Sequence, residues 1–230
     1  MKEFLSSSAY FGVLLSLFAY FIGTKVKKKL KLAIFNPILI AILLVILALL
    51  ALDIDYSAYN SGAKYLGWLL TPATVCLAIP LYEQLQLLKK NYRAILTGIL
   101  SGVLASIGCV LLLCLLFGLN RAETITLLPK SVTTAIGMAM VEEMGGYPAV
   151  AAVVIIITGI IGNIFAEGFL KLLRIREPIA RGVAIGTSSH AIGTSRAIEM
   201  GDVEGAMSGL SIAVAGLMTV VCLSVLSQFI

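Results

Sequence analysis

The stretch Ser131-Val132-Thr133-Thr134-Ala135-Ile136-Gly137, followed by Glu143-Met144-Gly145, returns as Thr187-Ser188-Ser189-His190-Ala191-Ile192-Gly193, followed by Glu199-Met200-Gly201. The Ala-Ile-Gly and Glu-Met-Gly triplets align without gaps at one constant offset, Ala135 with Ala191 and Glu143 with Glu199. Each copy is led by hydroxyl side chains and followed by a long apolar stretch. An odd number of crossings per copy inverts one copy relative to the other, which is how many transporters build a site at the bilayer midplane. The repeat predicts two polar hairpins, the first dipping in from outside and the second from the cytoplasm, with tips that meet near the middle.

Composition supplies the solvent for this arrangement. Of 230 residues, 60% are hydrophobic and 13% charged, with a mean hydropathy of +1.04. A soluble domain carries about 25% charge, so a water-soluble globule is excluded. Six runs lack Asp, Glu, Lys and Arg: Phe4–Thr24, Leu32–Leu52, Tyr65–Tyr82, Ala94–Asn120, Met144–Ala166 and Gly205–Ile230. Each meets or nearly meets the roughly 20 residues that cross a bilayer core. The first run lacks the basic start and small-residue cleavage site of a signal peptide. The expected fold is an all-α integral membrane protein of about six transmembrane helices plus two re-entrant or broken hairpins. Eight spans is the alternative, if Leu128–Val141 and Gly182–Ser195 cross fully. A four-helix region over 1–120 would precede the two repeats over 121–230.

Loop charge favours six spans. Lys25–Lys31, Lys89–Arg93 and Lys171–Arg181 follow the first, third and fifth runs. Six spans put all three on one side, which the positive-inside rule makes the cytoplasm, and put both termini outside. The net charge of +5 therefore reads as topology, not as nucleic-acid binding. Cys76, Cys109, Cys114 and Cys222 lie in apolar runs, without metal-ligand spacing. No cofactor or metal site is expected.

The hairpins carry the candidate site. Irregular backbone survives at membrane depth only where protein or a water-filled cavity satisfies it. Gly137 and Gly193 are read as hinges that permit the turns. Ser131, Thr133, Thr134, Ser188, Ser189 and Thr194 supply hydroxyl donors and acceptors, as does Ser195. Open half-helix N-termini favour an anion. Lys130 and Arg196 either meet a solute carboxylate, Arg in bidentate fashion, or snorkel to the interface. His190, the one histidine, is a structural hydrogen-bonder or a proton carrier. Glu143 and Glu199 read as hairpin caps or partners of Arg196, and Asn163 as an interhelical hydrogen-bonder. Thr71-Pro72-Ala73-Thr74 and Pro80 interrupt the third span, since proline kinks a membrane helix and frees carbonyls, and that span is a candidate to line the pathway opposite the hairpins. No nucleophile–base pair or phosphate loop is visible, so an enzyme is not expected.

At Leu128-Pro129-Lys130-Ser131-Val132-Thr133-Thr134 and at Ser189-His190-Ala191-Ile192-Gly193-Thr194 the chain resembles the LrgB/CidB family. Gly145-Gly146-Tyr147-Pro148 and Glu204-Gly205-Ala206-Met207-Ser208 fit it too. The resemblance implies a bacterial cytoplasmic (inner) membrane protein acting beside a smaller holin-like protein of the LrgA/CidA type. It implies either of two roles: antiholin- or holin-like modulation of murein hydrolase activity and lysis, or small-carboxylate transport. Related bacterial pairs are linked to pyruvate uptake, and a plastidial relative looks like a glycolate/glycerate translocator. The leading expectation is a transport subunit for a small monocarboxylate, and the alternative a regulator of holin-like pores and autolysis. A homo-oligomer stays open.

Overall fold

The computed structural model describes residues 8, 10–30, 35–69, 72, 75–76 and 78–228, and every regular element among them is a helix. In chain order these are α1 (Phe11–Leu30), α2 (Pro37–Leu52), α3 (Tyr56–Trp68), α4 (Ala78–Glu83), α5 (Leu85–Leu116), α6 (Arg121–Leu127), α7 (Thr134–Glu143), α8 (Pro148–Leu172), α9 (Pro178–Met200) and α10 (Asp202–Leu226). Three of them, α5, α8 and α10, are long and apolar enough to cross a membrane, with 32, 25 and 25 residues. They coincide with three of the six uncharged runs. The apolar α2 is shorter at 16 residues. The interruption of the third run at Thr71, Ala73 and Thr74 lies outside the described residues.

Two expectations about charge change. Lys25, Lys27, Lys28 and Lys29 do not form a loop; they continue α1 to its end. Lys89, Lys90 and Arg93 likewise lie in the first turns of α5. Lysine and arginine are good helix formers, and at the end of α1 they also meet the negative end of the helix dipole.

The chain divides into two compact units, Met1–Cys76 and Leu77–Ile230. This boundary differs from the expected one after residue 120, because α5 packs with the repeats. A Cβ built on Gly98 would sit 3.4 Å from Val183, and one on Gly102 would sit 2.8 Å from Thr187. In the first unit α1 packs on α2 and α3, with Ser16 Oγ and Tyr59 OH 2.7 Å apart. Asn36 caps α2, its Oδ1 accepting from Ile38 N at 2.8 Å.

The second unit holds the repeat, and α9 shows how one copy is built. His190 has φ 43° and ψ −144°, far from helical values. The limbs on either side, 178–189 and 191–200, fold back on each other. Residues eight apart in a straight helix stand about 12 Å apart, yet a Cβ on Gly193 would lie 3.5 Å from the Ile185 carbonyl. Residues equally far from the bend meet the same level of α10. Gly182 and Ile198 both approach the Glu204–Gly205 turn, while Gly186 and Thr194 both approach Ser208. The first copy repeats this contact. Gly137 holds the repeat position of Gly193, and its Cβ would lie 3.5 Å from the carbonyl of Pro129, which holds the repeat position of Ile185. Its bend is the segment Leu128–Thr133 between α6 and α7.

The hairpins run from opposite ends of α10. The second packs along α10 from Glu204 to Ser211. The first packs at the far end, where Gly216 faces Ile136 and Arg121 Nη2 donates to the Ser227 carbonyl at 3.3 Å. On α8 the order is reversed. Tyr147 N, at its start, donates to Thr126 Oγ1 of the first hairpin at 2.9 Å, and Asn163, towards its end, reaches the second. From Asp202 to Ser211 is about 14 Å of helix, less than half of α10.

The glycines act as contact points, not hinges. Gly137 and Gly193 lie inside helical limbs, and neither has positive φ. Their use is to let two limbs touch where a side chain would hold them apart. Thermal unfolding in detergent checks the contact at Gly186, where a Cβ would lie 2.8 Å from Ser208 Cα. Gly186→Ala is expected to cost about 1–3 kcal/mol by overpacking. Gly108→Ala, on α5 with nothing within 4 Å, is expected to be neutral or stabilising.

Candidate functional site

The bend at His190 is closed from three sides. The imidazole Nε2 faces the Ile155 carbonyl of α8 at 2.9 Å, which calls for the Nε2–H tautomer as donor. The His190 carbonyl accepts from Thr194 Oγ1 at 2.9 Å. Asn163 Nδ2 donates to the Ile192 carbonyl and to Ser195 Oγ, each at 2.8 Å, the interhelical role expected of it. Glycines on α8 make room for the bend. A Cβ on Gly159 would come 2.7 Å from the His190 ring, and one on Gly162 would collide with Ser189. Ile155, fully buried, touches both repeats, since its side chain also faces Gly137.

A cleft of about 1240 Å³ runs between α5 and the first limb of α9. At one end lie Asn91, Phe169 and Glu177, and at the other Cys109, Lys130 and Ser131. Between them its walls are Ala94, Gly98, Ser101, Gly102 and Ser106 on α5, facing Val183, Thr187 and Ser188 on α9. The first hairpin thus closes the inner end of a cleft walled by the second. Lys130 Nζ donates to Ser131 Oγ at 2.9 Å, and Ser131 Oγ stands 3.3 Å from Ser106 Oγ. Ser106, Ser131 and Thr187 also line a separate cavity of about 10 Å³, with Val103, Ile107, Leu128, Val132 and Thr219.

Of the residues expected at the site, Lys130, Ser131 and Ser188 line the cleft. Thr133 and Thr134 begin α7, half-buried and away from the cleft lining. Ser189 hydrogen-bonds Ser188 and packs on Gly162. Thr194 and His190 are buried and bonded within the protein, Thr194 Oγ1 to Ser208 Oγ at 2.7 Å. Arg196 is held by Glu167 of α8 and by Glu199 one turn on, so both partners of its charge are already in place. The hairpin tips therefore do not form one shared cluster of all nine candidates. Ser101, Ser106 and Thr187 were missed. Small residues recurring at 94, 98, 102, 105 and 109 along α5 mark a close-packed face at helical spacing and were the available signal.

A family model described as "LrgB-like family" matches residues 16–229. The chain belongs to the LrgB-like family. Curated relatives named "Antiholin-like protein LrgB" from Bacillus mycoides (strain KBAB4), Bacillus cereus (strain B4264) and Bacillus anthracis (strain CDC 684 / NRRL 3495) are each 39% identical over 222 residues, covering 96% of this chain and 96% of the relative. No solved structure matches the chain. The LrgB-like assignment and the three long apolar helices make this a membrane protein. The relatives' name matches the antiholin-like expectation and does not mention transport.

The buried Thr194–Ser208 pair separates a structural role from a binding one. Thr194→Val leaves the fully buried Ser208 hydroxyl without this partner and is expected to cost about 1–2 kcal/mol in thermal unfolding. Adding Ser208→Ala should restore much of the loss. A stable Thr194→Val single variant would contradict the structural role.

Proposed function

We propose that this chain forms a membrane pathway for a small monocarboxylate of the pyruvate, glycolate or glycerate type, acting with an LrgA/CidA-like partner in a bacterial inner membrane. The observation that carries this reading is the opposed pair of helical hairpins, whose bends come together against α8 and α10 at the end of a polar-edged cleft. Non-helical backbone at membrane depth is tolerated where protein or a water-filled cavity receives it, and opposed hairpins of this kind line the midplane sites of many transporters. Six spans fit the reading: α1, α2, the interrupted third segment, α5, α8 and α10, with α6–α7 and α9 re-entrant. The limb-to-limb contacts at Gly137 and Gly193 support re-entry over two extra crossings. The three basic segments then share the cytoplasmic side.

A second reading has its own support. The relatives' shared name, antiholin-like, speaks directly for a regulator of holin-like pores and autolysis, and on the comparisons alone it is the better supported of the two. In that role the hairpins would be packing or partner-contact elements.

Vesicles containing the chain, with and without an LrgA/CidA-like partner, separate the readings. Saturable uptake of labelled pyruvate or glycolate, reduced at least about tenfold by Lys130→Met through loss of a charge-assisted contact, is the expected outcome. Partner binding without saturable flux of any short carboxylate would favour regulation and remove the transport reading.

A further inference from the structure

The inner end of the cleft has a charge and a hydroxyl that the protein itself leaves unanswered. Lys130 is the lysine on the first bend, and among the described residues it forms no ion pair; its ammonium donates to Ser131 Oγ alone. An ammonium has three donors, so two point elsewhere. Thr187 is 5% exposed, yet its Oγ1 has no hydrogen-bond partner. A threonine in a helix ordinarily bonds the carbonyl one turn back, as Ser188 does to Ala184 at 2.8 Å. Thr187 lines the cleft together with Lys130, Ser131 and Ser106. A half-buried cation without a counter-ion and a buried hydroxyl without a partner are both costly. One ligand removes both costs: an anion with more than one acceptor oxygen.

We propose that the cleft between α5 and the first limb of α9 binds one water-soluble monocarboxylate at its inner end, with the carboxylate against Lys130 Nζ and the hydroxyls of Ser131, Ser106 and Thr187, and that the ligand arrives from the end bearing Asn91 and Glu177. The proposal deepens the transport reading by placing and sizing its site, but it requires only binding, not net flux. It moves the site away from Arg196, whose charge two carboxylates already meet. A single cation without a counter-ion matches a single negative charge. A dicarboxylate would bring a second charge with no partner into the same cleft. The volume, about 1240 Å³, is far larger than a short carboxylate, so the cleft is a vestibule rather than a fitted pocket. Its mouth adjoins Lys90, Arg93 and Arg176 in sequence, the segments that loop charge assigns to the cytoplasm. Next to Ser131 lies only a cavity of about 10 Å³.

Cys109 is a native reporter, exposed at the inner end. In full-length protein carrying C76S, C114A and C222A, a membrane-impermeant maleimide should label Cys109 from the face bearing the basic segments. Glycolate or pyruvate at about ten times its Kd should slow that labelling about tenfold, by occupancy. Succinate and decanoate at equal concentration should slow it less. Lys130→Met should lose the protection and Lys130→Arg should keep it, both variants eluting as single species. Protection with no vesicle uptake would uphold the site while removing transport. Labelling unaffected by glycolate and pyruvate in well-folded protein would overturn the proposal. So would labelling from the opposite face only, protection by decanoate alone, or a Cys109 kept unreactive by a neighbouring chain packed in the cleft.

Discussion

Everything in the second unit follows from closing two bends in the backbone where water is scarce. A bend frees carbonyl and amide groups that an uninterrupted helix would pair, and each one left bare in an apolar medium costs several kcal/mol. The protein answers within a few residues of each bend. At the second, Thr194 and Asn163 take up the carbonyls of His190 and Ile192, while the His190 ring uses the Ile155 carbonyl across the helix gap. At the first, tight turns do the same work: Lys130 N to the Leu127 carbonyl and Val132 N to the Pro129 carbonyl, each at 3.2 Å. His190 holds positive φ, a strained conformation for a residue with a side chain, and these bonds fix it there.

Small residues make that closure geometrically possible. Gly159 and Gly162 open α8 to the second bend, and Gly182 and Gly186 let the first limb lie against α10 backbone. The contact at Gly193 and its repeat at Gly137 hold each pair of limbs together. Without the hydrophobic effect to bring helices together in lipid, close packing of small residues and interhelical hydrogen bonds supply the attraction. The Thr194–Ser208 bond adds to it at the level where Gly186 meets the same residue.

Much of this was legible in the sequence. The repeat appears because both hairpins solve one packing problem with the same Ala-Ile-Gly, and the structure returns the same limb-to-limb contact at both glycines. The three longest uncharged runs became the three longest apolar helices. What misled was chemical ambiguity. Threonine, serine and histidine at a bend look alike whether they serve a ligand or the backbone, so Thr194 and His190 read as site residues while their bonds are internal. Arg196 read as a solute ligand because Glu167 is distant in sequence and adjacent only after folding. The glycines read as hinges because composition does not separate a residue that turns from one that lets a neighbour approach. The share of α5 in the cleft was the least visible part: Ser106 and Thr187 lie far apart along the chain, and no repeat links them.

The meeting of the two bends is the claim on which both the site and the proposed pathway stand, and cross-linking measures it directly. In a cysteine-free background, Ser131→Cys on the first bend and Thr187→Cys beside the second line the same small cavity as Thr219. Copper phenanthroline or a short bismaleimide should join them within one chain, seen as a faster-migrating monomer. If the pair stays unlinked while each cysteine reacts freely with a monofunctional reagent, the bends do not meet, and the opposed-hairpin account is wrong.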